Sequence, residues 1–105
     1  MARTVAWTES AWLDLEAAGR YIARDSPTYA ASFLLAVTQC AASLDELSER
    51  GRILPEVAEP SIRELQVQRY RLVYQVAPGT VYILALIHGA RDFERAWSDR
   101  PRDPR

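Results

Sequence analysis

The run Arg69-Tyr70-Arg71-Leu72-Val73-Tyr74-Gln75-Val76, then Ala77-Pro78-Gly79-Thr80, then Val81-Tyr82-Ile83-Leu84-Ala85-Leu86-Ile87 decides the fold of this chain. Its two flanks are rich in β-branched and aromatic side chains, which fit a pleated, half-buried surface. Between them, Pro78 and Gly79 take the two middle positions of a turn. Proline presets the first, and glycine supplies the positive φ that a type II turn needs at the second. The flanks therefore read as antiparallel strands. Val81 to Ile87 is apolar nearly throughout, which predicts a central strand covered on both faces. Upstream, Ile62 to Val67 alternates with period two and adds a third strand to the meander.

Before these strands, Arg52 to Pro60 reads as a connector that offers Ile53, Leu54 and Val57 to packing. Ala30, Phe33, Leu34, Val37, Ala41, Leu44 and Leu47 recur at helical spacing, and Gly51 stands where a left-handed residue commonly closes a helix. Ser26 suits the cap of that helix and Pro27 its first position. An earlier helix carries Trp12, Leu15, Ala18, Gly19 and Ile22, with Thr8 as its cap and Glu9 in its positive first turn. The link between the helices is short enough to make them an antiparallel hairpin. Arg3 to Trp7 reads as a short strand with Val5 and Trp7 on one face, and Arg91 to Trp97 adds a helical turn at the far end. The expected architecture is α+β, in the order β-α-α-β-β-β, with the helical hairpin packed on a twisted, mainly antiparallel sheet. Such a domain covers one sheet face with helices and leaves the other for a ligand or partner.

One hundred and five residues suffice for one core but not two, so residues 1–97 are expected to form a single domain, followed by a polar tail over 98–105. No apolar run approaches the roughly 20 residues that span a bilayer, and the N-terminus has no signal-peptide core, which predicts a cytoplasmic protein. A single cysteine, Cys40, permits no internal disulfide and falls in an apolar helical stripe, where it behaves as a small hydrophobe. One cysteine and one histidine make no zinc site, and no cofactor is expected. All 13 basic residues are arginines, yet the formal net charge is −1, without the positive excess usual in a protein that grips nucleic-acid phosphates.

Six segments occur in order: Val5-Ala6-Trp7-Thr8-Glu9, Tyr21-Ile22-Ala23-Arg24-Asp25-Ser26-Pro27, Gly51-Arg52-Ile53-Leu54-Pro55-Glu56, Arg63-Glu64-Leu65, Tyr70-Arg71-Leu72-Val73-Tyr74 and His88-Gly89-Ala90-Arg91-Asp92. Together they resemble the RelE/ParE superfamily of toxins from bacterial type II toxin–antitoxin modules. The resemblance covers residues 3 to 97 and implies the same element order. It also implies one of two activities. Toxins of the ribonuclease branch cut messenger RNA on the ribosome, where the 2′-hydroxyl attacks its own phosphate. That chemistry needs a base, an acid and positive charge on the pentavalent phosphate. In this branch Arg71 matches the arginine of the Tyr-Arg-Leu-Val-Tyr strand and Arg91 a second one. His88, whose unperturbed pKa lies near neutrality, would be the acid or base.

The chain departs from that pattern. Trp97 stands nearest the place of a catalytic tyrosine and cannot transfer a proton, and Glu64, Gln66 and Gln68 occupy a region where part of that branch has lysines. ParE-type toxins share the fold but poison DNA gyrase by protein binding, which needs neither an acid–base set nor a basic face. The resemblance therefore favours the ParE-like branch, with Arg91, Phe93, Arg95 and Trp97 as the contact segment. Both branches imply a cognate antitoxin whose disordered segment folds on the toxin as a helix or an added strand, with the helical hairpin (Trp12 and Tyr29 near its rim) and the edge of the sheet as the available surfaces, and operator DNA bound only through that antitoxin. A non-toxic relative that binds an antitoxin and regulates transcription is the third reading. Plain structural roles stand beside these. Arg71 is equally suited to an ion pair with Glu64 or Asp92, and His88 to a hydrogen-bonded place at a strand end. Arg91 and Asp92 can brace the last segment, Tyr70 and Tyr74 suit core packing, and Trp7 and Trp12 suit the core or a partner groove. Glu9, Asp14 and Glu16 suit a solvated helix face.

Overall fold

The computed structural model describes residues 2–89, 91 and 93–98. In chain order these form β1 (Thr4–Trp7), α1 (Glu9–Ala23), α2 (Pro27–Ala42), a 3-10 turn (Ser43–Asp45), β2 (Arg52–Ile53), β3 (Ile62–Val67), β4 (Tyr70–Ala77), β5 (Thr80–His88) and α3 (Phe93–Ser98). The five strands lie in the order β1-β5-β4-β3-β2. β1 runs parallel to β5 and every other pair is antiparallel. The fold class is the expected one. β5 is an interior strand, as its composition predicts, although the middle of the sheet is β4. Gly79 has φ 74°, as a type II turn requires at its position. The tail after Ser98, like Asp92, lies outside the described residues.

Thr8 does two things at the start of α1. Its hydroxyl oxygen accepts the Ala11 N–H at 3.2 Å, which satisfies one of the orphan donors of the first turn. The same hydroxyl donates to the Ile83 carbonyl at 2.9 Å and so ties the helix to β5. Thr8→Ala is expected to cost about 1–2 kcal/mol, while Thr8→Ser keeps most of that stability. Urea midpoints of the two variants check this, and equal midpoints would remove Thr8 as a cap. Ser26 caps α2 through the Tyr29 N–H at 3.1 Å, with Pro27 behind it as expected.

Gly51 does not close α2. That helix stops at Ala42, and Gly51 has no positive φ. Leu47 lies beyond the helix and is exposed rather than part of its buried stripe. Gly51 instead sits where a turn is pressed against the sheet. Its N–H donates to the Tyr74 hydroxyl at 2.9 Å, and its carbonyl accepts from Arg63 at 2.8 Å. The chain then enters β2, which pairs Arg52 with Glu64 and Ile53 with Arg63. This strand falls within the expected connector, and two residues are too few to show a period.

A bulge divides β5 between two cores. Tyr74 faces Ile83 and Val73 faces Ala85, so Leu84 is the extra residue. Before it, Val81 and Ile83 point to the helices, where they meet Phe33, Val37, Leu44, Leu72 and Tyr74. After it, Leu86 takes that side, while Ala85 and Ile87 join Leu54, Ile62, Val73 and Phe93 on the other. The second sheet face is therefore not left open. Leu54 and Val57 from the connector, and Phe93, Ala96 and Trp97 from α3, cover part of it. Apolar residues at both strand parities required this second layer, because a strand buried on one face would alternate.

Candidate functional site

Arg71 projects from β4 on the α3 side of the sheet. The hairpin register pairs Gln66 with Arg71 and Glu64 with Val73, so Glu64 is the diagonal same-face neighbour of Arg71. Its Nε donates to Glu64 Oε1 at 2.5 Å. Nη1 and Nη2 donate to the two carboxylate oxygens of Glu56 at 3.0 and 2.8 Å, a bidentate pair. The guanidinium carbon lies 4.2 Å from the centre of the Phe93 ring. Arg52 Nε binds the second oxygen of Glu64 at 2.5 Å, so this buried carboxylate is shared by two arginines. Hydrogen bonds from Arg71 hold the Glu56 carboxyl below its usual range, and the Glu56 carboxylate raises the Arg71 guanidinium further above its own. Arg71 thus has the Glu64 partner weighed from sequence, together with Glu56, which the sequence reading did not foresee.

Beside this cluster is an open recess of about 720 Å³, with Arg50, Arg52, Arg69, Arg71, Gln66 and His88 among its lining residues. Four arginines face one carboxylate there, a local positive excess in an acidic chain. Arg50 donates to Ser43 Oγ at 2.7 Å. Arg69 lies in the tight turn joining β3 to β4, where Gln68 adopts φ 55° and accepts a hydrogen bond from the Tyr29 hydroxyl. The Arg69 carbonyl accepts the Gly89 N–H at 2.8 Å.

His88 ends β5 opposite Tyr70, with the two rings edge-on at 5.0 Å. It borders the arginine recess and also a groove of about 450 Å³ under α1. Asp14, Ala17, Ala18, Tyr21, Tyr70, Leu86 and Arg91 complete that groove. Arg71 and Arg91 therefore line different hollows, with His88 bordering both. Burial pushes the Tyr70 hydroxyl up from its ordinary value, which favours its neutral form. Asp14 is not part of a solvated face, since it is half-buried and its Oδ2 accepts the Leu86 N–H at 2.9 Å. Its place beside Ala11, Leu15 and Ala18 at helical spacing carried that signal.

The residues expected to meet a partner are dispersed. Trp12 is exposed and packs edge-on against Trp7, with ring centres 5.8 Å apart. Tyr29 is exposed on α2. In the C-terminal segment Phe93 turns inward under Arg71 and Trp97 stacks on it, half-buried, which leaves Arg91 and Arg95 as the exposed members of that set. Among the described residues, no group of three or more His, Cys, Asp or Glu side chains could hold a metal ion, and no helix is long and apolar enough to cross a membrane. Cys40 is half-buried, and burial pushes its thiol up.

Residues 5–93 match the family described as the ParE toxin of the type II toxin–antitoxin system parDE. Among curated proteins, Toxin RelE2 of Caulobacter vibrioides is 41% identical over 88 residues, which are 83% of this chain and 96% of that protein. The toxin–antitoxin complex RelBE2 from Mycobacterium tuberculosis contains a chain similar at TM-score 0.60 and 28% identity, over 84% of this chain and 99% of that one. A chain of the chromosomal ParDE system from P. aeruginosa superposes at TM-score 0.68 over 83% of this chain and 96% of that one, at 20% identity. This last likeness speaks for the fold alone. With the family match running from β1 into α3 and the element order shared, the chain belongs to the ParE toxin family of type II toxin–antitoxin systems, within the RelE/ParE superfamily.

Proposed function

We propose that this chain is the toxin of a type II toxin–antitoxin pair, and that it arrests growth by binding and poisoning DNA gyrase or a related essential protein. The observation that carries this reading is the state of Arg71. A phosphate would have to displace Glu56 from a bidentate pair and approach the buried charge of Glu64. An arginine that neutralises a pentavalent phosphate instead needs donors aimed at the place where charge develops. Arg91, the second arginine of the ribonuclease pattern, lies in the other hollow, and Trp97 is taken up in packing against Phe93. A toxin that works through a protein contact needs none of these groups to be presented. A cognate antitoxin is its partner, and operator DNA is reached through that antitoxin.

One observation favours a second reading. The recess of Arg50, Arg52, Arg69 and Arg71 beside His88 has the charge that a messenger RNA backbone seeks. In an endoribonuclease, Arg71 and Arg91 would hold phosphate and His88 would move the proton. The chain should be induced alone in bacteria, with DNA breaks and message ends mapped in the same cells, and the purified protein added to gyrase with supercoiled DNA. The proposal expects trapped gyrase–DNA cleavage complexes and intact messages. Message cuts in phase with codons, on undamaged DNA, would establish the ribonuclease in its place.

A further inference from the structure

We propose that Glu56 is a built-in competitor for phosphate. Its carboxylate occupies the outward edge of the Arg71 guanidinium and keeps that arginine from external anions until a phosphate group displaces it. The inference concerns what the arginine recess admits, and it holds for either target considered above. Arg71 makes two kinds of contact. Its Nε is bound to Glu64, whose side chain is buried, and its guanidinium lies over the Phe93 ring at 4.2 Å. These contacts fix the plane of the fork without help from Glu56. Nη1 and Nη2 then donate to the two Glu56 oxygens at 3.0 and 2.8 Å. Two such donors on a fixed plane receive a carboxylate or a phosphate in the same bidentate manner. The Arg71 hydrogen bonds, with a smaller pull from Arg52, hold the Glu56 carboxyl below its usual range. Arg71 also lines the recess with Arg50, Arg52 and Arg69, so a phosphate that replaced Glu56 would have further guanidinium groups within its field.

The segment that carries Glu56 is fastened at its ends and has few ties between them. Leu54 and Ile62 are buried in the second core, and the Leu54 N–H donates to the Ile62 carbonyl at 3.0 Å. Between them Pro55, Glu56, Ala58, Glu59 and Pro60 are exposed, and Val57 packs half-buried against that core. The Val57 and Ala58 N–H groups both donate back to the Leu54 carbonyl, inside the same segment. Ala58 holds φ 56°, a left-handed conformation that residues with a Cβ rarely adopt, so the closed turn carries strain that opening would relieve. Glu64 differs on every count, because it is buried within β3 and cannot leave Arg71 without breaking the sheet. The two carboxylates thus divide the work: Glu64 orients the fork and Glu56 covers it. A tethered carboxylate competes as though present at high local concentration. The affinity of an outside phosphate then falls in proportion to the fraction of molecules whose fork is free.

The test titrates the isotope-labelled full chain with inorganic phosphate and, separately, with a short single-stranded DNA, following the backbone amides of Gln66, Arg71 and Gly89 by NMR. DNA lacks the 2′-hydroxyl, so binding is read without cleavage. Growth arrest is not a readout, and the failure of either functional reading leaves the test standing. Glu56→Gln and Glu56→Ala remove the competitor. Glu59→Gln removes the same charge from the same segment, where Glu59 accepts only the Ser61 hydroxyl among side chains, at 2.9 Å. The proposal expects both Glu56 variants to bind at least about tenfold more tightly than wild type, and Glu59→Gln to bind as wild type does. Glu56→Asp keeps the charge on a shorter stem and should fall between. A larger gain for DNA than for phosphate would name a nucleic-acid backbone as the source of the phosphate group, and equal gains would name the free ion. Wild-type affinity in folded Glu56→Gln and Glu56→Ala would overturn the proposal. So would an equal gain in Glu59→Gln, which would trace the effect to net charge, or shifts confined to amides away from the recess. Loss of the native NMR spectrum in both Glu56 variants would overturn it as well, by making Glu56 a fixed brace.

Discussion

Gly51→Ala is expected to destabilise the protein by about 3 kcal/mol, lowering the thermal midpoint by more than about 10 °C for a domain of this size. A Cβ at this position would lie 2.5 Å from the Glu64 carbonyl oxygen and 2.6 Å from the Tyr74 hydroxyl. Neither neighbour can retreat easily. The first belongs to the backbone of β3, which is paired on both sides at that point, and the second to a wholly buried ring. Moving the turn outward instead would strain the Gly51 N–H bond to Tyr74 and the Arg63 bond to the Gly51 carbonyl. Overpacking accounts for roughly 1–3 kcal/mol and a weakened buried hydrogen bond for roughly 1 more. Adding Tyr74→Phe removes one of the two colliding atoms, so the double variant should lose less than the sum of the single losses. A Gly51→Ala protein that melts within a degree or two of wild type would show that the turn is free to move, and would release β2 as an anchored element.

Gly51 also marks where sequence reading reaches its limit. A glycine after an apolar helical stripe looks like a helix terminator, because local pattern is all that a sequence displays. Here its need for a missing side chain comes from Tyr74, 23 positions later, and from the backbone of β3. Long elements with a repeating pattern were legible for the opposite reason. The caps at Thr8 and Ser26, the Pro78-Gly79 turn and the three-strand meander are each fixed by neighbours in the chain. The second core layer was half legible, since the run from Val81 to Ile87 called for cover on both faces but did not say what supplies it. The Arg71 cluster divides in the same way. Counting back from the Val67–Tyr70 hairpin puts Glu64 beside Arg71, so that contact could be foreseen. Glu56 reaches Arg71 from a connector without period, and only the folded chain brings it there.

That cluster changes what a mutation of Arg71 can mean. Arg71→Ala is expected to cost about 2–4 kcal/mol whether or not Arg71 ever touches RNA. It would leave the buried Glu64 carboxylate with Arg52, whose side chain is 70% exposed, as its remaining ion-pair partner. It would also strip Glu56 of its bidentate partner and Phe93 of the cation over its ring. The cost should depend on pH. Because Arg71 holds the Glu56 carboxyl below its ordinary value of 4.5, the pair stabilises the folded state fully above that value. Its contribution is lost as pH falls through the lowered folded value. Urea titrations of wild type and Arg71→Ala should therefore differ most near neutrality and converge on acidification. A gap that is constant from pH 7 to about pH 3 would rule out the Glu56 pair as its source. Loss of growth arrest in Arg71→Ala could then come from lost stability, and would not by itself identify a catalyst. The discriminating variant replaces the cluster together: Arg71→Met, Glu56→Gln and Glu64→Gln remove all three charges and leave only Arg52, whose side chain is 70% exposed, without its ion-pair partner, so no buried charge is stranded. If this triple variant stays folded and still arrests growth, Arg71 braces α3 against the sheet and the toxin acts through a protein surface. If it stays folded and loses both growth arrest and message cleavage, the arginine recess is a phosphate site and the ribonuclease reading takes precedence.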